Sequence, residues 1–170
     1  MKTIFYLLLV VTVSTLLLNS CTDEPEIKNI SGEVVYYSDC KTFEGMYRGP
    51  VTPDTLSCIE YVYDEDNNLL KLNHINAGFN CCPGKITCTI TIVGDTIVIK
   101  ESEEASLCNC NCLFDVDMEL KEVEKKSYFI KVIEPYCGDQ EKLYFEVDFQ
   151  NAQEGKYCAN RKDYPWGMIW

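Results

Sequence analysis

Apolar and polar residues alternate along most of this chain after about Val34, in short runs rich in β-branched and aromatic residues. A period of two is typical of β-strands with one buried face. Turn-forming residues separate the runs, and no stretch carries the longer period of an amphipathic helix. The runs predict strands at 33–38, 57–63, 69–76, 86–92, 108–121, 128–133 and 143–149, with a turn at 64–68. Short strands at this spacing predict an all-β fold, an antiparallel sandwich or meander, with no long helix in the mature domain.

The segment around Gly94 predicts a hairpin with a defined register. Residues 86–92 place isoleucines on one side and threonines on the other. Gly94-Asp95 then offers glycine at the first central position of a two-residue loop, which suits a type II′ turn. That turn brings isoleucines together on one side in two facing pairs, Ile92 with Ile97 and Ile90 with Ile99.

The first 21 residues have the composition of an export signal. Lys2 precedes sixteen uncharged residues, and the small residue Ser20 stands before Cys21. This order describes a secretory signal peptide. The Leu-Asn-Ser-Cys junction resembles the lipobox of bacterial lipoproteins, which implies cleavage before Cys21 and acyl chains on that residue. The alternative is an uncleaved membrane span, but the run is shorter than the roughly 20 residues that cross a hydrocarbon core.

These features predict three segments: a signal peptide over 1–20, a lipidated Cys21 with an acidic tether over 21–30, and a single β domain over 31–170. The early carboxylates of the tether also resemble the surface-export signal of Bacteroidota lipoproteins; the alternative is an ordinary solvated linker. We expect the protein in the bacterial cell envelope, anchored by lipid to the outer membrane and exposed at the cell surface. The membrane is thus an expected partner through the lipid alone.

The charge of the chain excludes some partners. The sequence has 15 basic and 27 acidic residues, a net charge of −12, which becomes −13 once residues 1–20 and their one lysine are removed. Nucleic-acid binding depends on Lys and Arg releasing counterions, so we expect no nucleic-acid partner. An acidic surface is also repelled by anionic headgroups. Solubility is the simplest explanation of this charge.

Ten cysteines remain after Cys21, and in an exported chain an even number predicts disulfides. The candidates are Cys40, Cys58, Cys81, Cys82, Cys88, Cys108, Cys110, Cys112, Cys137 and Cys158. On a strand, the sulfurs of Cys108-Asn-Cys-Asn-Cys112 point the same way about 6.5 Å apart, so each should pair with another segment. Adjacent Cys81 and Cys82 should serve two different partners, and Cys137 is a possible mate for Cys158.

A thiolate metal site is the alternative for part of this cysteine set. Three strand sulfurs and one more could hold Zn²⁺ or Cu⁺. The residues of this alternative are Cys81, Cys82, Cys108, Cys110 and Cys112. Their spacing lacks the paired C-x-x-C knuckles of a zinc ribbon, so we expect disulfides, with no metal and no cofactor.

Two further features bear on function. His74 is the only histidine, and no nucleophile elbow, HExxH motif or phosphate loop accompanies it, so we expect a structural residue and no enzyme. Trp166 and Trp170 lie in an aromatic tail that could contact a ligand, although we favour packing of this tail over the open end of the sheets.

Four stretches are similar to a group of small Bacteroidota lipoproteins and exported proteins. They are His74-Ile-Asn-Ala-Gly-Phe-Asn-Cys-Cys-Pro83, Cys108-Asn-Cys-Asn-Cys-Leu-Phe-Asp-Val116, Ile133-Glu-Pro-Tyr136 and Tyr164-Pro-Trp-Gly167. The resemblance implies an envelope location and one compact domain, and it assigns no functional residue. The sequence therefore predicts a lipid-anchored envelope protein that acts as a binding or structural module for a glycan, peptide or protein. Metal or thiol handling through the clustered cysteines is the alternative.

Overall fold

The structure, a computed structural model, describes residues 27–41, 52–53 and 55–162. These residues form ten strands and no helix: β1 (Ile27–Asn29), β2 (Gly32–Tyr37), β3 (Leu56–Asp64), β4 (Leu69–Asn80), β5 (Ile86–Val93), β6 (Thr96–Glu103), β7 (Asn111–Leu120), β8 (Ser127–Ile133), β9 (Tyr144–Asp148) and β10 (Glu154–Asn160). A membrane-crossing helix is accordingly absent from the described ranges.

The strands form two five-stranded sheets. Sheet I has the order β1-β5-β6-β8-β9, and sheet II has the order β10-β3-β4-β7-β2. Neighbouring strands are antiparallel except for β6 and β8, which run parallel because β7 crosses to the other sheet between them. The predicted all-β sandwich is confirmed, and this crossing excludes a simple meander.

The core lies between the inward faces of the two sheets. Buried and exposed residues alternate most clearly in β8 and β9, where every second side chain faces the core. Aromatic rings join the sheets: Tyr63 stacks on Phe149 and Tyr157 stacks on Phe145, each with ring centroids 4.6 Å apart. Such offset pairs stabilise a core beyond the area that they bury.

The predicted hairpin at Gly94 is confirmed. The register pairs Ile92 with Ile97 and Ile90 with Ile99. Gly94 has a φ of 59°, whereas the φ of Asp95 is not positive. A positive φ at the first central residue alone is the signature of the type II′ turn.

The beginning of the domain differs from the prediction. Residues 27–29, expected in the tether, form β1 and pair with β5, and Ile30 is buried. The predicted tether over 21–30 is therefore too long. The sequence did not indicate this, because a charged segment with a single buried isoleucine has no periodic pattern. Cys21 lies outside the described residues.

Three strand predictions are also corrected. The strand at 108–121 begins only at Asn111, because disulfides hold Cys108 and Cys110 in the preceding loop. The strand at 69–76 continues to Asn80 past a bulge at Asn76, whose φ is 63°. Strand β10 was not predicted, since its sequence contains glycine and few apolar residues.

Candidate functional site

Four disulfides connect the described cysteines. They are Cys40–Cys112, Cys58–Cys158, Cys81–Cys110 and Cys82–Cys108. As expected, Cys81 and Cys82 serve different partners, and no bridge joins two members of the 108–112 cluster. Two of these bridges hold the loop after β4 against the segment before β7. Cys108 and Cys110 therefore fix loops, whereas Cys112 lies on β7.

Two of the ten candidate cysteines are not bonded, which corrects the prediction for Cys88 and Cys137. Cys88 lies in β5 directly opposite Glu101 in the register and forms no disulfide with another described cysteine. Cys137 is not the mate of Cys158, because Cys158 lies opposite Cys58 on the neighbouring strand. Cross-strand neighbours at that spacing can bridge without backbone movement.

The free thiols have little reactivity. Burial, with the charges of Glu101 and Glu33, raises the pKa of Cys88 to about 11. Burial and the charge of Glu134 likewise raise the pKa of Cys137, against the opposing effect of nearby cations. Both groups are therefore protonated at neutral pH, and a protonated thiol is a poor nucleophile and ligand.

The cysteines of the metal-site alternative are all engaged in disulfides. All five cysteines of that alternative are in disulfides, so none offers a thiolate. No group of three His, Cys, Asp or Glu residues within the described ranges is placed to hold a metal ion. Asp64–Asn68 forms the predicted hairpin turn, with Asn67 donating to the Asp64 carboxylate.

A buried polar cluster joins the sheets at one end of the sandwich; we call it the ionic layer. It consists of Ser57, His74, Glu101, Glu134 and Arg161. Glu101 continues the inward phase of Ile97 and Ile99 on β6, and Glu134 follows Val132 in the same phase after β8. His74 continues the inward phase of β4 from the opposite sheet. Strand periodicity therefore brings these polar side chains into the core.

His74 is hydrogen-bonded at both ring nitrogens. Nδ1 lies 2.6 Å from Glu101 Oε1, and Nε2 lies 2.8 Å from Ser57 Oγ and 3.8 Å from Glu134 Oε1. Arg161 donates through Nη2 to both oxygens of Glu134 at 2.7 Å. Two carboxylates thus face two cationic groups, and the layer is neutral when His74 is protonated.

The surroundings favour the protonated form of His74. Burial alone would lower its pKa, but the charge and hydrogen bond of Glu101, with the charge of Glu134, raise the pKa above 6.5 even against Arg161. Both ring nitrogens then donate, with Ser57 Oγ and Glu101 Oε1 as acceptors. The second oxygen, Glu101 Oε2, is buried with no hydrogen-bond partner among the described residues.

The hydrogen bonds from Ser57 to His74 and from His74 to Glu101 have the lengths found in a hydrolase triad. The protonation state of His74 does not fit that role. A general base must accept the serine proton at Nε2. Here the nearby Glu134 carboxylate favours a proton on that nitrogen. Ser57 and His74 are also 0% exposed, so a substrate cannot reach the hydroxyl. This arrangement is an internal electrostatic contact between the sheets.

The outward faces of the two sheets differ strongly in charge. On the central strands of sheet II the outward residues include five carboxylates and one lysine: Glu60, Asp64, Asp115, Asp117, Glu119 and Lys71. A groove of about 340 Å³ crosses this face. Its cations are neutralised, since Lys71 pairs with Glu119 and Lys156 pairs with Glu60.

On the central strands of sheet I the outward residues include two lysines and no carboxylate. Five neighbouring side chains on this face form what we call the platform: Lys100, Phe129, Lys131, Ile133 and Tyr144. The register places Lys131 opposite Tyr144 and Lys100 opposite Ile133. Phe129 and Tyr144 stack with centroids 5.4 Å apart and are 38% and 50% exposed.

The platform was not predicted from the sequence, although the pattern of β8 indicates an exposed apolar patch. In β8 the inward phase holds Tyr128, Ile130 and Val132, so Phe129 and Ile133 fall in the phase that should be polar. Apolar residues in the outward phase of a strand indicate an exposed patch. The predicted ligand contacts Trp166 and Trp170 lie outside the described residues.

Comparison of this chain with protein-family models, with curated proteins and with solved structures finds no match.

Proposed function

We propose that this protein is a lipid-anchored binding module of the bacterial cell envelope, and that the platform on sheet I is its binding surface. The observation that carries the proposal is the stacked pair Phe129 and Tyr144, which stays exposed on a rigid sheet. Exposed aromatic side chains supply contact area at little cost in conformational entropy. Their position on strands, not on a loop, holds them in a fixed geometry.

The disulfides support the location outside the cytoplasm. Bridges of this number persist in oxidising compartments and are rare where thiols are kept reduced. They agree with the export signal and the lipidation site expected at Cys21. A multiply acylated cysteine would anchor the chain stably, because more than one acyl chain exceeds the threshold for lasting membrane attachment.

The test is a ligand screen with paired surface variants. The mature chain is applied to arrays of glycans, peptides and envelope or host proteins. Phe129→Ser/Tyr144→Ser should lose the ligand, whereas Tyr36→Ser, which changes a 60% exposed tyrosine on sheet II, should retain it. Circular dichroism checks that both variants stay folded.

Two results would count against this function. A wild-type chain that retains no ligand from any array would remove the binding role. A ligand held equally by the wild type and the Phe129/Tyr144 variant would place the binding surface elsewhere.

A further inference from the structure

We propose that the platform recognises acidic polysaccharide, a chain that bears carboxylate or sulfate groups. Lys100 and Lys131 pair with the anionic groups, while Phe129 and Tyr144 contact the apolar faces of sugar rings. This inference rests on the proposed binding function and names the ligand class for the same surface.

The first argument is that the two platform cations lack partners. Among the described residues, neither the Lys100 nor the Lys131 ammonium group forms an ion pair or hydrogen bond, whereas Lys71 and Lys156 on sheet II are both paired. The lysines lie on the adjacent strands β6 and β8, two residues apart in the register and on the same face. In a chain with a net charge of −12, two neighbouring unpaired cations on one face indicate an anionic partner.

The second argument is the composition around the lysines. Phe129 and Tyr144 present exposed rings, and the neighbouring outward positions of β5 and β6 carry the hydroxyl groups of Thr89, Thr91 and Thr96. Ring faces suit apolar sugar surfaces, and hydroxyl groups can donate to or accept from sugar hydroxyls. The edge strand β9 adds two carboxylates in the outward phase, Glu146 opposite Phe129 and Asp148 opposite Ser127, which limit the positive charge of the face.

The third argument separates a polysaccharide from other polyanions. A membrane or a nucleic-acid duplex presents dense negative charge over a wide area and would extend from the lysines to the carboxylates of β9 on the same face. A thin polysaccharide chain with one charge per sugar can lie along the platform alone. The five outward carboxylates on sheet II face the opposite direction and do not oppose it.

The experiment compares matched polymers that differ only in charge. Binding of the full mature chain is measured at low salt with polygalacturonate and dextran sulfate, and with carboxyl-reduced polygalacturonate and dextran as neutral counterparts. We expect binding to the charged polymers that weakens as salt rises. Lys100→Gln/Lys131→Gln should reduce affinity by about fivefold to tenfold, the effect of two exposed ionic contacts.

The control is Lys71→Gln/Lys156→Gln, which removes the same charge from sheet II and should bind as the wild type does. Glu146→Gln should tighten binding. If the neutral polymers bind equally well, the binding module stands but recognition of charge is wrong. If neither charged polymer binds, the ligand class is wrong, whatever the array screen retains.

Two further probes decide between polyanions. A short DNA duplex and phosphatidylserine vesicles are measured under the same conditions. Tighter binding of either one than of both charged polysaccharides would overturn the assignment.

Discussion

The ionic layer shows how single residues set the electrostatics of the core. His74 and Arg161 offset two carboxylates in a region from which water is excluded. Buried charges are tolerated when they are paired and hydrogen-bonded, and removal of one partner is costly. The protonation state of His74 therefore controls whether this region is neutral or carries an excess negative charge.

We expect the stability of the protein to fall as the pH rises above about 6.5. The pKa of His74 is raised above its unfolded value of 6.5, so its contribution is complete below about pH 6.5 and is lost as the pH rises through the folded pKa. The free energy of unfolding, measured in urea at several pH values, should show this decline.

The control is His74→Gln, which cannot titrate. It should cost about 3–5 kcal/mol, because it leaves Glu101 and Glu134 facing Arg161 alone. It should also flatten the pH dependence above pH 6.5. A variant that declines with pH as steeply as the wild type would show that another group titrates.

The sequence predicts only part of this cluster. His74 was expected to be structural, and the structure places it in the core. Glu101 could have been noticed as a charged residue in the inward phase after Ile97 and Ile99. Glu134 carries the same signal, because it follows Val132 in the inward phase of β8. Arg161 could not be predicted, because it meets Glu134 only when the two sheets pack together and bring the ends of β10 and β8 close.

At the level of elements, two bridges close nearly the same loop. Cys81–Cys110 and Cys82–Cys108 both enclose the β5–β6 hairpin, with sequence separations of 29 and 26. A bridge stabilises mainly by restricting the unfolded chain, so the second one adds little once the first is formed. The pair should act as a unit.

We therefore expect the removal of these bridges to be non-additive. Cys81→Ala/Cys110→Ala and Cys82→Ala/Cys108→Ala should each cost about 1–2 kcal/mol, and all four substitutions together about 5 kcal/mol. Urea unfolding of the three variants measures the costs. As a control, Cys58→Ala/Cys158→Ala should add nearly independently to either pair. Additive costs within the nested pair would contradict this explanation.

Prediction of the elements succeeds where local pattern and turn chemistry agree. The β5–β6 hairpin was predicted with its register because Gly94 and the isoleucine alternation require the same pairing. The pattern could not predict β10, which is held at an edge by pairing with β3 and by the Cys58–Cys158 bridge. Nor could it predict the parallel pairing of β6 with β8, which depends on the path of β7.

At the scale of the whole molecule, the two sheets present unlike surfaces. Sheet II is acidic with paired lysines, and sheet I carries the platform. The first strand, β1, begins six residues after Cys21, at the edge of sheet I. Six residues span at most about 20 Å, so an acylated Cys21 would hold the sandwich close to the membrane.

We expect Cys21→Ser to release the protein from the membrane. Without the acylated cysteine, no acyl chains would hold the mature chain to the bilayer. Fractionation of cells into membrane and soluble material, with mass spectrometry of the N-terminus, measures the change. As the matched control, Cys88→Ser alters a cysteine that is unbonded in the structure and should stay membrane-bound. Retention of Cys21→Ser in the membrane fraction would contradict lipid anchoring.

None of the four bridges joins two cysteines that are consecutive in the chain, and Cys58 precedes its partner Cys158 by 100 residues. An oxidase that linked sulfurs in their order of emergence would make only wrong pairs, beginning with Cys40 and Cys58. Maturation would then depend on an isomerase that reshuffles those early bonds through mixed disulfides. The yield of native protein should therefore rise with the disulfide-isomerase capacity of the host.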